Sequence, residues 1–355
     1  MYKSFSIKNF RGFKTLSLKD CKLVNLITGK NNTGKTALLE ALFLHIGSMN
    51  PQLALSIASF RGFPGFRLNP ESLWGPLFNN YNTDNTINLV AEYSDRTKAS
   101  LSISLVPSSL VSLDQKEQEG SEQYKLSEQI SLIPEKYLQY NYVHKNKSVK
   151  RIARLTPRGF DIQPPVEDNP FQGYFIPARQ QLDPGAYAQR FGDLKIKKLD
   201  YIVLNALQIL EPNLKSLSTI PVGPISLIHI DFGGPRLMPI QLAGEGMTRI
   251  AEMTIDIASA PNGIILIDDI DTGIHYTALP KFWEMIFYLT KKFKIQLFAT
   301  THSSECLETA YQTLSSMKEH DMNIYRLQRI EDSISVLSYD KKKFETVIDI
   351  GLEVR

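Results

Sequence analysis

Residues 29–36, Gly-Lys-Asn-Asn-Thr-Gly-Lys-Thr, match the pattern G-x-x-x-x-G-K-[ST]. The pattern has mechanical meaning only between a strand and a helix. Here the apolar run VNLIT precedes it and the helical run TALLEALF follows. Glycines let backbone amides wrap a phosphate, Lys35 supplies a point charge toward the outer phosphates, and the Thr36 hydroxyl can ligate Mg²⁺ while the helix N-terminus faces the anion. Gly29, Asn31, Asn32, Gly34, Lys35, Thr36 and Ala37 are the expected phosphate cradle.

The chain around this loop reads as α/β. Segments 4–9 and 14–18 alternate polar and apolar residues, and 23–28 is an apolar run, which predicts three short strands before the loop. After residue 173, strands at 174–177, 225–231, 263–267 and 295–300 are expected among helices near 196–210, 245–258, 276–290 and 303–315. Buried apolar strands alternating with helices predict a mainly parallel sheet. A strand pair at 323–329 and 333–338 and a short Lys-rich helix are expected to close the chain.

Residues 48–173 differ in character, with Pro, Gly, Asn and Ser separating strand-like segments at 86–93, 100–106 and 140–155. The expected organisation is a core of residues 1–47 and 174–355 interrupted by a β-rich insertion at 48–173. Within the insertion, 112–128 reads as an exposed polar loop, and the aromatic stretch 60–78, with Phe63, Phe66, Trp74 and Phe78, reads as core packing.

Composition excludes more than it identifies. With 355 residues, 43% of them hydrophobic and Lys+Arg 40 against Asp+Glu 37, the chain is neither disordered nor strongly basic. A net charge of +3 gives little counterion-release drive toward nucleic acid, so DNA binding would need a local patch, such as 145–154 or 195–198. Two cysteines, Cys21 and Cys306, make no disulfide framework and no C-x-x-C metal spacing, which favours a reduced cytoplasmic setting. Neither a signal peptide nor a membrane span is expected.

Three further motifs narrow the chemistry. Ile264–Ile267 is an apolar run ending in Asp268 and Asp269, where Asp268 would complete a Mg²⁺ shell and Asp269 would stand as the water-activating base. The run 295–300 ends in Thr301-His302, so His302 would lie at the ligand edge of the same sheet. Gly244-Glu245-Gly246 opens a helix and offers a second surface of bare amides. Two molecules packed head to tail could place that surface on a nucleotide held by the other's Lys35.

Phosphate loop, Gly-rich helix start, acidic strand and Thr-His follow each other in the order of the ABC-type ATPases. AAA+ proteins lack the helix-start signature. More closely, IKNFRGF (7–13), GKNNTGKT, YFIPARQ (174–180), LAGEGMTRI, ILIDDIDTGIHYTAL and FATTHSSE resemble OLD-type and RecF/SMC-like ABC ATPases. The resemblance covers about residues 1–47 and 174–315. It implies a P-loop NTPase fold with a mainly parallel sheet, antiparallel N-terminal strands and a β-rich insertion, using ATP and Mg²⁺. It further implies Arg11 near the nucleotide, Gln180 or Gln181 facing the metal, residues 271–276 along a dimer seam, and His302 sensing the γ-phosphate.

Two departures matter. Such families usually carry Glu where this chain has Asp269, one methylene shorter, so slow hydrolysis is expected. OLD-type nucleases continue into a nuclease domain, whereas 53 residues follow His302 here without a clustered acidic site. The first functional reading is therefore a nucleotide-gated homodimer or higher oligomer that controls a separately encoded effector, such as a nuclease, in defence against foreign DNA. A DNA-binding repair ATPase and a non-hydrolysing ATP-bound scaffold are the alternatives. Long heptads are missing, and no membrane-coupling feature is visible.

Overall fold

The computed structural model describes residues 1–61, 70–107, 136–156, 159–166, 173–178, 183–317, 321–331 and 333–339. The predicted loop at 112–128, Phe63, Phe66 and the Lys-rich C-terminal segment lie outside these residues. Along the chain run β1 (Tyr2–Phe10), β2 (Phe13–Leu18), β3 (Val24–Thr28), α1 (Lys35–Ile46), α2 (Gln52–Phe60), α3 (Pro70–Trp74), β4 (Ile87–Tyr93), β5 (Lys98–Pro107), β6 (Lys136–His144), β7 (Lys147–Thr156), β8 (Gly159–Gln163) and β9 (Gly173–Ile176). The second half adds α4 (Pro184–Ile196), α5 (Asp200–Leu207), β10 (Ser216–Val222), β11 (Ile225–Asp231), β12 (Met238–Pro239), α6 (Glu245–Ser259), β13 (Ile264–Ile267), α7 (Leu279–Phe293), β14 (Gln296–Thr300), α8 (Ser304–Ser316), β15 (Met322–Ile330) and β16 (Ser333–Tyr339).

The described strands form a mainly parallel sheet ordered β16-β15-β3-β14-β13-β9, an antiparallel sheet ordered β2-β1-β4-β5-β6-β7-β8, and a small sheet β10-β11-β12. In the first, only β16 runs against its neighbour. Its central strands β3, β14 and β13 are buried throughout because both sides are covered. Val24, Leu26, Ile265, Ile267, Leu297 and Ala299 pack toward α4–α8, while Ile27, Ile264, Leu266 and Phe298 pack toward α1 and the antiparallel sheet.

Helix α1 lies between the two sheets, and every residue of it except Thr36 and Phe43 is buried. That is why its sequence shows no amphipathic stripe. β4 pairs with β1 in the register Phe5↔Ala91 and Ile7↔Leu89, so the strands of 48–173 extend the N-terminal hairpin into one sheet over α1. Trp74 and Phe78 are buried in the same core, as expected for the aromatic stretch.

Two expected elements differ. The single strand at 140–155 is a hairpin of β6 and β7, turned at Lys145 with φ 54. The helix expected at 196–210 is broken by Lys198 in the left-handed region, φ 57, into α4 and α5. α4 starts earlier than expected, at an Asp183-Pro184 step in which the Asp183 carboxylate accepts from Gly185 N at 2.9 Å. α4 is tied to α6 by Asp256, which accepts from Tyr187 Oη at 2.7 Å and pairs with Arg190. Burial pushes the Asp256 carboxyl up to about 6.

At the far end of α1, His45 is sealed in the core between Tyr2 Oη, 2.6 Å from its Nδ1, and Ala99 O, 3.3 Å from its Nε2. Burial holds its pKa down to about 4, against an ordinary 6.5. The unfolded chain then binds one more proton than the folded one between these values, so stability from this group is complete above 6.5 and declines as pH falls toward 4. Denaturant titrations from pH 7 to pH 4.5 are expected to show wild type losing up to about 1.4 kcal/mol per pH unit relative to His45→Gln across this window.

Candidate nucleotide site

Parallel pairing of β14 with both β3 and β13 sets three carboxyl ends side by side. Hydrogen bonding continues past the strands, from Asp268 N to Ile176 O (2.9 Å), Thr301 N to Ile27 O (3.1 Å) and Ile270 N to Thr300 O (2.9 Å). Loop residues at this edge are therefore held almost as firmly as the strands. Ligands of open α/β sheets bind at such an edge.

The phosphate loop follows β3 as its sequence requires. Gly34 caps α1 at φ 93 without a side-chain cap, and Asn32, two residues before it, is left-handed at φ 61. The first amides of α1, those of Lys35, Thr36 and Ala37, precede the helix's own hydrogen bonding and are free to face an anion. Gly29 has no room for a side chain, since a Cβ there would lie 2.3 Å from Leu327 O. Lys35 is buried, and its Nζ donates to Gly29 O (2.6 Å) and Lys30 O (3.0 Å). Burial lowers its pKa, opposed by the charges of Asp269 and Asp268. Asn31 and Asn32 are exposed at the loop tip, and Ala37 is packed in the core.

Asp268 joins the loop to the strand ends. Its Oδ2 accepts from Thr36 Oγ1 at 2.9 Å and its Oδ1 from Thr300 Oγ1 at 2.6 Å. Thr300 Oγ1 in turn accepts from Asp269 N at 2.8 Å. Asp269 takes φ 50, an uncommon conformation for a residue with a side chain, and His302 Nε2 lies 3.6 Å from its Oδ1. Burial and the Asp268 charge raise the pKa of Asp269, while His302 and Lys35 pull it back. The Thr36 hydroxyl and Asp268 carboxylate form a hard-oxygen pair of the kind that holds Mg²⁺ together with substrate phosphates, so these residues fit the expected ion.

The Gly-Glu-Gly turn is placed elsewhere on the surface. Gly244, at φ 103, and Glu245 are exposed at the N-terminus of α6, which has no side-chain cap. Gly246 is buried against Gly273, where a Cβ would lie 2.2 Å from Gly273 O, so the 271–276 turn rests directly on this helix start. Leu242 and Tyr276, 71% and 62% exposed, stand on the two packed turns. Asp271 accepts from Thr301 Oγ1 at 2.6 Å, which fastens its turn to the end of β14.

Arg11 is brought to the second turn of α1, where its Nε lies 2.8 Å from Glu40 Oε2. Glu40, fully buried, also receives a fork from Arg61, with contacts of 2.8 and 3.1 Å. Burial lowers Arg11 to about 10 even beside Glu40. Burial also works against Arg61, yet Glu40 and Asp268 outweigh it and raise its pKa. Gln180 and Gln181 lie outside the described residues.

Sequence reading passed over Thr300, Glu40, Arg61 and Arg249. Arg249, buried on α6, donates to Pro177 O (2.7 Å) and Asp268 O (2.5 Å), spanning the ends of β9 and β13. An arginine one turn inside a helix, next to the apolar Ile250 and Ala251, was the available signal. For Thr300 none existed, because its partners become adjacent only through the strand order.

The phosphate loop, the acidic strand and the strand between them define a P-loop ATPase head with the α/β fold expected above. Among solved structures, the chain resembles an SMC head bound to the C-winged helix domain of ScpA, with TM-score 0.54 and 13% identity over 97% of this chain and 99% of that one, a likeness of fold. Residues 24–308 match the family described as "AAA domain, putative AbiEii toxin, Type IV TA system", and the chain belongs to that family. It is similar over its length to a Helicobacter pylori protein named "ATP/GTP phosphatase", 21% identical across 97% of each chain. A stretch of 48 residues is 44% identical to an uncharacterised Methanocaldococcus jannaschii protein, covering 14% of this chain and 22% of that one.

Two variants probe this geometry. Thr300→Val leaves the Asp269 amide and one Asp268 oxygen without their partner, and is expected to cut ATP turnover by about tenfold or more, measured by phosphate release at saturating MgATP. Glu40→Gln leaves two guanidiniums facing a neutral group and should cost about 3 kcal/mol of unfolding free energy in denaturant.

Proposed function

We propose that this ATPase hydrolyses MgATP slowly in a head-to-tail homodimer and that the dimer governs a separately encoded effector, such as a nuclease, in defence against foreign DNA. The observation that carries the reading is the convergence of Lys35, Thr36, Asp268, Asp269 and His302 at one sheet edge. The α1 N-terminus and Lys35 bind the phosphates. Thr36 and Asp268 would hold Mg²⁺, which would supply positive charge beside the phosphates when bound. Asp269 takes the proton of the attacking water and His302 contacts the γ-phosphate side. The short Asp269 side chain, together with its left-handed backbone, makes proton transfer poorly aligned and hydrolysis slow.

Dimerisation is supported by the second set of helix amides. Gly244 and Glu245 are exposed on a turn rigidly packed against Gly273, flanked by the apolar side chains of Leu242 and Tyr276. Each subunit then offers this edge to the nucleotide on the other's Lys35, which couples assembly to ATP. The toxin named in the family description supports a conflict or defence role. A DNA-binding reading draws on exposed Lys145, Lys147 and Lys150 at the β6–β7 hairpin. It requires duplex affinity that falls steeply with salt.

Turnover measured across protein concentration tests the proposal. The rate per subunit is expected to rise with concentration, to vanish in Lys35→Ala and to increase in Asp269→Glu. Turnover independent of concentration would remove the composite site. Tight ATP binding without any turnover would leave nucleotide as a switching ligand alone.

A further inference from the structure

The family match ends at residue 308, and the β15–β16 hairpin lies beyond it. This hairpin grips the phosphate loop along its outer side. Leu327 O stands where a Cβ of Gly29 would be, 2.3 Å from it, and Ile334 Cδ1 lies 3.6 Å from the Cβ position of Gly34 and 3.2 Å from that of Gly12. Between these contacts, the exposed guanidinium of Arg329 donates through Nη2 to Asn32 O at 3.3 Å. Asn32 is the left-handed residue at the loop tip, where no strand or helix fixes the peptide. Within the loop, Thr33 Oγ1 donates to Lys30 O at 2.8 Å, which fixes the other carbonyl of the tip.

We propose that Arg329 is a positioning residue for nucleotide phosphate. Holding the Asn32 carbonyl on the outer side leaves the amides of the tip aimed into the loop, and the guanidinium adds positive potential behind them. Its effect falls on the loop, which cradles the β-phosphate, and so on ATP and ADP alike. A residue touching the γ-phosphate would favour ATP only. The inference rests on the nucleotide reading above and deepens it by giving the C-terminal hairpin a share in binding.

The test is isothermal titration of the full chain with MgATP and with MgADP, for wild type, Lys35→Ala, Arg329→Ala and Arg329→Lys. Arg329→Ala is expected to weaken both nucleotides by the same factor, about fivefold, with the thermal midpoint of the unliganded protein unchanged, and Arg329→Lys to recover part of the loss. Unchanged affinity in Arg329→Ala, or a loss confined to MgATP, overturns the proposal while the nucleotide reading stands. Wild type that binds neither nucleotide overturns both.

Discussion

The carboxylate of Asp268, shared between two threonine hydroxyls, is the interaction on which the site depends. Thr36 belongs to the phosphate helix and Thr300 to the strand between β3 and β13, so one side chain ties loop, acidic strand and central strand together. An isolated carboxylate at this depth would carry a large desolvation cost, and the two charge-assisted hydrogen bonds offset it. They also leave Asp268 a single orientation. Because Thr300 accepts from the Asp269 amide, the neighbouring carboxyl inherits its direction from the same hydroxyl.

A second level of organisation supports this chain of bonds. Arg249 reaches from α6 to the backbone of Asp268 and Pro177, and Asp271 is held by Thr301, so α6 and the turn after the acidic strand are both anchored to the sheet edge. The contact of Gly246 with Gly273 makes those two turns one body. A change at the carboxylates therefore has a direct mechanical path to the exposed edge carrying Gly244 and Glu245.

The loop expected to cradle phosphate was legible because its pattern is local: strand, loop and helix start are contiguous in sequence, and the structure places them in that order. The helix start at Glu245 and the Asp268-Asp269 step were legible for the same reason. Pairing of β4 with β1 was not, since alternation specifies a strand but not its neighbour. Glu40 carries no local signal of its role, and only the arrival of Arg11 and Arg61 from two other segments explains its burial. The break at Lys198 left no Gly or Pro as a marker, whereas the Asp183-Pro184 start of α4 did carry a signal and was passed over.

The placement of β3 at the centre of the parallel sheet has a consequence for biosynthesis. Val24 pairs with Leu297 on one side and Met322 on the other, so β3 gains its sheet neighbours only after β14 and β15 have been made. Until then α1, which has no polar face of its own, is left uncovered on the sheet side. Contacts of such separation fold slowly and expose apolar surface while they wait. The sheet edge that carries Thr300 and Asp268 therefore cannot form before β14 has joined β3.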